Sequence, residues 1–300
     1  MEIKYFNRGQ HAVETEQVYG ENAVAWLYES PIGKLLAPLI CSSLVSSMYG
    51  SVQDSSTLSG GKVAPFIDKF QINMDEYEIQ EDAPEGVLFT TFNNFFIRKF
   101  KSGVRIFTPE SQLMPAFSEA RYYGYSALEE TQSVPVKGNF LTPDNILAHK
   151  KWAAEFKNGP MLLARLCPVD YHRFHFPDDG EVLDDYRIHG KFHSVNPLAL
   201  KKKNDVLCTN ERHVTILQTK NFGKIAYVEV GAIMVGKIIQ SYEGKSFQRG
   251  QEKGYFLFGG STVMLFGEMN KWVPSSDILI NTGKGMETYI KLGDEVGVKM

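Results

Sequence analysis

The segment Tyr255-Phe-Leu-Phe-Gly-Gly-Ser-Thr-Val-Met-Leu-Phe266 sets four small residues, Gly259 to Thr262, inside an apolar, strand-like run. Glycine weakens a strand and usually marks a bulge or a close backbone approach, so the plain reading is a glycine bulge. The chemical reading is that Gly260 leaves the carbonyl before Ser261 unshielded and its backbone strainable, and that the Ser261 hydroxyl attacks this carbonyl. The peptide bond then becomes an ester. β-Elimination of the ester frees the upstream chain and leaves dehydroalanine, which hydrolyses to a pyruvoyl group at the new N-terminus. On this reading the chain cuts itself at 260–261 and makes its own cofactor.

A serine needs an adjacent base to become a competent nucleophile. The stretch Pro168-Val-Asp-Tyr-His172-Arg-Phe-His175 offers two histidines three residues apart, a type and spacing suited to proton transfer near neutral pH. His172, His175, His189 and His193 also form an HxxH…HxxxH pattern that a metal could use. Neither HExxH nor a Cys-rich pattern accompanies it, and surface or core histidines are a third reading. The expectation is no metal.

These residues need a scaffold of ordinary soluble composition, 43% hydrophobic and 22% charged over 300 residues, enough for one large core. A net charge of −3 gives no basic field for nucleic acid. Cys41, Cys167 and Cys208 form no disulfide framework or CxxC pair, and the start of the chain lacks a signal-peptide core. The expected address is cytoplasmic.

The first third reads as helical. Apolar residues dominate from Asn22 to Met48, but the longest uncharged stretch, Leu35 to Gln53, contains Pro38 and five serines. A spanning helix asks for about 20 predominantly apolar residues. Short helices in a membrane interface, with Trp26 and Tyr28 at headgroup level, compete with a helical hairpin packed on the protein's own core. Val63, Phe66, Ile67 and Phe70 share one helical face. The acidic cluster from Asp75 to Glu85 reads as a solvated connector. Thr142-Pro143 caps a helix expected to run to about Phe156. Strands are expected at Met161–Cys167, His213–Gln218, Ile225–Val230 and Tyr255–Phe266. The whole is an α+β chain: an N-terminal helical region over residues 1–78, then a β-rich core of sandwich or barrel type over residues 79–300.

The chain resembles the phosphatidylserine decarboxylase proenzymes over nearly its whole length. Phe92-Asn-Asn-Phe-Phe-Ile-Arg98-Lys-Phe-Lys101 is similar to that family's FxxFFxRxxK, Asp170-Tyr-His-Arg-Phe-His175 to its DYHRxH, and Gly190–Pro197 to its G-x-(L/F)-x-SVNP. Val230–Ile238 is similar to VGAxxVGxI, and Lys253-Gly254 leads into Gly-Ser-Thr. The ordered set is specific where each motif alone is weak.

The resemblance implies a double-sheet catalytic core, reminiscent of duplicated lipoyl-like motifs, behind helices that attach to the membrane. It implies that His175 activates Ser261 while His172 assists decarboxylation and protonation of the substrate carbon. It implies a β-chain of residues 1–260 and an α-chain of residues 261–300, a homodimer, and a peripheral place at the cytoplasmic face of the cell membrane. The substrate would be phosphatidylserine, whose amine forms a Schiff base with the pyruvoyl group; loss of CO2 would yield phosphatidylethanolamine. One departure stands out. The family's aspartate after Pro-Ala, which would hold the histidine's tautomer, is here Phe117; Glu119 is expected to replace it, the alternative being a surface glutamate with processing slow or managed by another carboxylate such as Asp170. Two other readings stay open: a pyruvoyl decarboxylase of a soluble amino acid, separable by lipid dependence, and a non-cleaving metal- or lipid-binding relative, separable by an intact chain carrying zinc.

Overall fold

The computed structural model describes residues 2–17, 26–27, 30–41, 52–127, 141–195, 205–232, 237–258 and 261–300. Expectations placed on Gly260, Tyr28 and residues 42–51 lie outside these. Ten strands form one open sheet, in the order β11 (Ser246–Phe247), β7 (Gly180–Ile188), β8 (Arg212–Thr219), β9 (Lys224–Val230), β13 (Ser261–Gly267), β5 (Met161–Leu166), β4 (Ala120–Tyr125), β15 (Glu287–Ile290), β1 (Lys4–Asn7) and β2 (Ala12–Thr15). Two three-stranded sheets pack with it: β10 (Ile238–Gln240), β12 (Glu252–Phe256), β6 (Arg173–His175); and β14 (Trp272–Pro274), β16 (Glu295–Lys299), β3 (Leu113–Pro115). The α+β, β-rich expectation holds. The described strands close no barrel, because the large sheet ends at β11 and β2.

β13 sits inside the large sheet because every residue of it is buried, and an apolar strand flanked on both edges satisfies its backbone only there. It pairs antiparallel with β5, Ser261 opposite Leu166, and with β9, Thr262 opposite Val230. β8 and β9 form a hairpin whose turn ends at Gly223, at φ +72°, where Glu268 and Lys271 press against the missing side chain. Only glycine suits that position.

Three sequence expectations meet a different outcome. Residues near the N-terminus form the β1–β2 hairpin rather than a helix, with β1 added parallel to β15; long-range pairing decides a segment whose own pattern is weak. The helix expected from Thr142 to Phe156 is two, Pro143–Leu147 and Lys150–Glu155, divided at Ala148 in the left-handed region. The first stops because its end carbonyls are taken: Arg212 Nε donates to Ile146 O at 2.8 Å and Tyr186 Oη to Leu147 O at 3.0 Å. The apolar run Tyr255–Phe266 is two strands, β12 and β13, in different sheets. The helix Val63–Phe70 forms as its periodicity requires, burying Val63 and Phe66.

The main core lies around the large sheet. A second cluster, with Val63, Phe66, Phe89, Phe92, Phe95, Phe96 and Phe258, caps the end of the β12–β13 connection. The small sheet of β12 is tied to the large one by a buried ion pair. Lys253 Nζ lies 2.6 Å from Glu229 Oε1 and 2.7 Å from Gln240 Oε1, with neither charged side chain exposed. The rings of Phe174, Phe176, Tyr227 and Tyr242 surround the ammonium. Burial lowers its pKa, and Glu229 opposes that shift.

Candidate active site

Ser261 is the first residue of β13 and is wholly buried. Its Oγ lies 3.2 Å from His172 Nδ1, a distance at which a hydroxyl donates to an imidazole. His172 Nε2 lies 2.8 Å from the carbonyl oxygen of Cys167. A carbonyl only accepts, so Nε2 carries the proton and Nδ1 presents its lone pair to the serine. The ring of Phe96 stacks on the imidazole, centroids 3.7 Å apart and planes 20° apart. Phe96 belongs to the short helix Phe92–Phe96, capped by Thr91 Oγ1 accepting Asn94 N–H. Arg98 just beyond it is buried and donates to the carbonyls of Val169 and Asp170, pinning the turn that carries His172.

His175 lies on the same strand end but meets other groups. Its Nδ1 donates to the carbonyl of Gly250 at 2.9 Å, and Tyr171 Oη lies 3.2 Å from its Nε2. Gly250, at φ +77°, lets this carbonyl approach, with the Phe107 ring filling the space a side chain would need. The structure thus brings His172, not His175, to Ser261.

Glu119 is also placed elsewhere. Arg105 donates to both its oxygens, at 2.5 and 2.8 Å, and Tyr289 Oη and the Leu292 amide add 2.9 and 3.1 Å bonds. With four donors satisfied and none from a histidine, it faces a cavity of about 320 Å3 that Arg121, Asp170 and Tyr289 also line. Phe117, at the family's aspartate position, turns its side chain onto Tyr122 and Tyr227, while its carbonyl accepts His175 N–H at 2.8 Å. The expectation that Glu119 stands in for the aspartate therefore finds no contact here.

Sequence reasoning missed the carbonyls of Cys167 and Gly250, the two groups that fix the histidine rings. No side-chain signal marks a carbonyl. The buried ions behind them were equally hidden: Arg121 pairs with Asp170 at 2.6 Å, and Arg165 with Glu16 and Glu287 at 2.6 Å each. Glu16 sits just after β2, so the N-terminal hairpin braces the site. His193, in the Gly190 stretch, is bound through its backbone by Asn210, which also donates to Gly231 O at 2.8 Å. His189 is exposed beside Glu211, and among the described residues no three metal-ligating side chains converge.

Burial holds both site histidines neutral, pushing the pKa of His172 down to about 3 and that of His175 down to about 4. In the unfolded chain each returns to its ordinary value of 6.5. Below that pH the unfolded state binds protons the folded state refuses, so stability falls with acid by ~1.4 kcal/mol per pH unit for each histidine. The urea midpoint should drop between about pH 7 and about pH 5, above the range where most carboxylates titrate. A level midpoint across that window would contradict neutral burial.

Comparison with known proteins finds relatives over nearly the whole chain. The family model for phosphatidylserine decarboxylase matches residues 92–298. The chain is 41% identical over 299 residues to the phosphatidylserine decarboxylase proenzyme of Clostridium kluyveri, covering 99% of each. It is 38% identical over 300 residues to that of Clostridium novyi, covering 99% of this chain and all of the relative. With the proenzyme of Desulfitobacterium hafniense it shares 39% identity over 301 residues, 99% of this chain and 98% of the other.

Proposed function

This chain belongs to the phosphatidylserine decarboxylase family, and we propose that it cuts itself before Ser261 and then converts phosphatidylserine to phosphatidylethanolamine and CO2. The observation that carries the reading is the 3.2 Å approach of Ser261 Oγ to His172 Nδ1. The residues fit a pyruvoyl group made from Ser261: the position heads a strand held on both edges, with a base at its oxygen and Phe96 excluding water above that base.

His172 takes the Ser261 hydroxyl proton as Oγ attacks the preceding carbonyl carbon. The C–N bond breaks, and the proton passes to the departing amine. Elimination across Cα and Cβ of residue 261 then releases the upstream chain as a carboxylate, and one water in and one ammonia out complete the group. A pyruvoyl carbonyl supplies an electron sink for the pair left behind as CO2 departs. For the decarboxylation half, His172 must first take up a proton at the bare Nδ1, which it then delivers to the substrate carbon.

The N-terminal helix supports a peripheral membrane position. Trp26, Ile32, Leu35 and Leu36 are exposed, Leu35 by 80%, on and beside the helix Pro31–Ile40, and no described helix is long and apolar enough to cross a bilayer. Such a helix lies in the interface, where the lipid headgroup is. Its far end is anchored to the site region through Phe192 N–H on Cys41 O at 3.0 Å.

Intact mass spectrometry of the purified protein tests the reading. The expected species are residues 1–260 and residues 261–300 with the second blocked by pyruvoyl, and decarboxylation should require phosphatidylserine in vesicles or micelles. A chain that stays at full length would refute self-processing. Cleavage with turnover of free serine but not of lipid would leave the processing and change the substrate.

A further inference from the structure

We infer that Asn93 is a positioning residue of self-cleavage, holding the acyl side of the bond that is cut. The inference rests on the proposed cut before Ser261. Gly259 and Gly260 separate Phe258 from Ser261, and glycines impose the least conformation of their own. The geometry of the carbonyl before Ser261 must therefore come from the fixed points on either side. Downstream, β5 and β9 hold Ser261 and Thr262. Upstream, Phe258 N–H donates to Asn93 Oδ1 at 2.9 Å, while Asn93 Nδ2 donates to Asp54 Oδ1 at 2.6 Å. A backbone donor on one side and a carboxylate on the other allow the Asn93 amide one orientation only.

Asn93 is buried and lies on the short helix that also carries Phe96. The Phe258 ring stands edge-on to Phe92 and Phe96, centroids 4.8 and 5.0 Å apart, and Phe96 in turn stacks on His172. The helix start is fixed to the segment bearing Asp54: Ser59 Oγ accepts Phe92 N–H at 3.0 Å and donates to Gln53 O at 2.8 Å. The backbone closes the circuit, since Phe256 N–H donates to His172 O at 2.9 Å. One helix thus sets the base through Phe96 and the segment to be attacked through Asn93, fixing one against the other. The Asn93 side chain bonds Phe258 and Asp54, so it acts through the approach of the carbonyl and not in proton transfer. A misplacement of about 1 Å between reacting groups costs about 10²-fold in rate.

Amide hydrogen exchange in the uncut Ser261→Ala chain reads the grip directly. The Phe258 amide should exchange slowly, and adding Asn93→Leu should expose it while the Phe256 amide stays protected. With Ser261 intact, Asn93→Leu should cut about 10²-fold more slowly. Hydroxylamine, which captures the ester's acyl group as a hydroxamate and leaves Ser261 as a free amine terminus, should not restore that rate, because forming the ester is the step slowed. Asn93→Asp sets two carboxylates face to face and should also cut slowly. Adding Asp54→Asn restores the bond with its polarity reversed and should recover most of the rate, a rescue at an exposed residue that repacking alone would not give. A Phe258 amide in the Ser261→Ala chain that exchanges like an exposed loop would overturn the inference. So would a folded Asn93→Leu chain that cuts normally or is restored by hydroxylamine, or a swapped pair that folds and stays slow. An unaltered chain that never cuts refutes the role of Ser261 itself, whereas any of these results beside a normally cutting parent sinks Asn93 alone.

Discussion

Replacing His172 with glutamine should leave the chain essentially uncut, whereas the same change at His175 should slow the cut far less. His172 is the ring whose bare nitrogen meets Ser261 Oγ, and loss of a positioned general base costs about 10²- to 10⁴-fold in rate. Glutamine keeps much of the volume beneath Phe96 and can still donate to the Cys167 carbonyl, so the loss reads proton transfer more than packing. At His175 the lost bonds go to Gly250 O and Tyr171 Oη, which shape the strand end without touching the serine; an effect of about tenfold is expected, as for a supporting contact. Conversion of freshly synthesised precursor, followed on a gel, separates the two. A His172→Gln chain that cuts at the normal rate beside an uncut His175→Gln chain would return the base to His175.

The largest stability loss is expected at Lys253. Lys253→Ala leaves the Glu229 carboxylate buried without its cation, at a place where neither side chain of the pair is exposed. Breaking a buried pair by removing one partner costs about 3–5 kcal/mol, a large share of the roughly 5–15 kcal/mol that holds a domain folded. The urea midpoint should collapse accordingly. Lys253→Met combined with Glu229→Leu should recover most of the loss, because apolar side chains of similar size replace such a pair at little cost. A shift for Lys253→Ala no larger than that of a surface substitution would mean the pair is far wetter than its burial indicates.

How much of this was legible in the sequence depended on whether the information lay in side chains. Ser261, His172 and His175 stood out because their chemistry is carried by their own atoms and by motif order. The strands at 161–166, 212–219 and 224–230 stood out because β-branched and aromatic runs between turn residues can do little else. The roles of the two histidines did not follow from spacing, since residues three apart near a strand end meet different walls: one faces β13, the other the loop at Gly250. Glu119 looked like a displaced acid because its neighbour Phe117 occupies the expected place, and only the fold reveals Arg105 already holding it. β1 and β2 went unread because a four-residue strand takes its conformation from the edge it joins.

Ser261 opens a strand flanked on both edges, and the residues after it do not stay in one place. Residues 261–300 supply β13 and β15 to the large sheet and β14 and β16 to a small one, with β5, β4 and β9 of the upstream piece between and beside them. Cutting before Ser261, as proposed, would sever the chain without releasing either piece and leave an interlaced pair with a shared core. Its thermodynamics change order at that moment. The precursor folds as a unimolecular event, independent of dilution, while the cut form, once unfolded, can regain its structure only by a bimolecular encounter. Such a cut would thus convert a fold indifferent to concentration into one whose recovery slows with dilution.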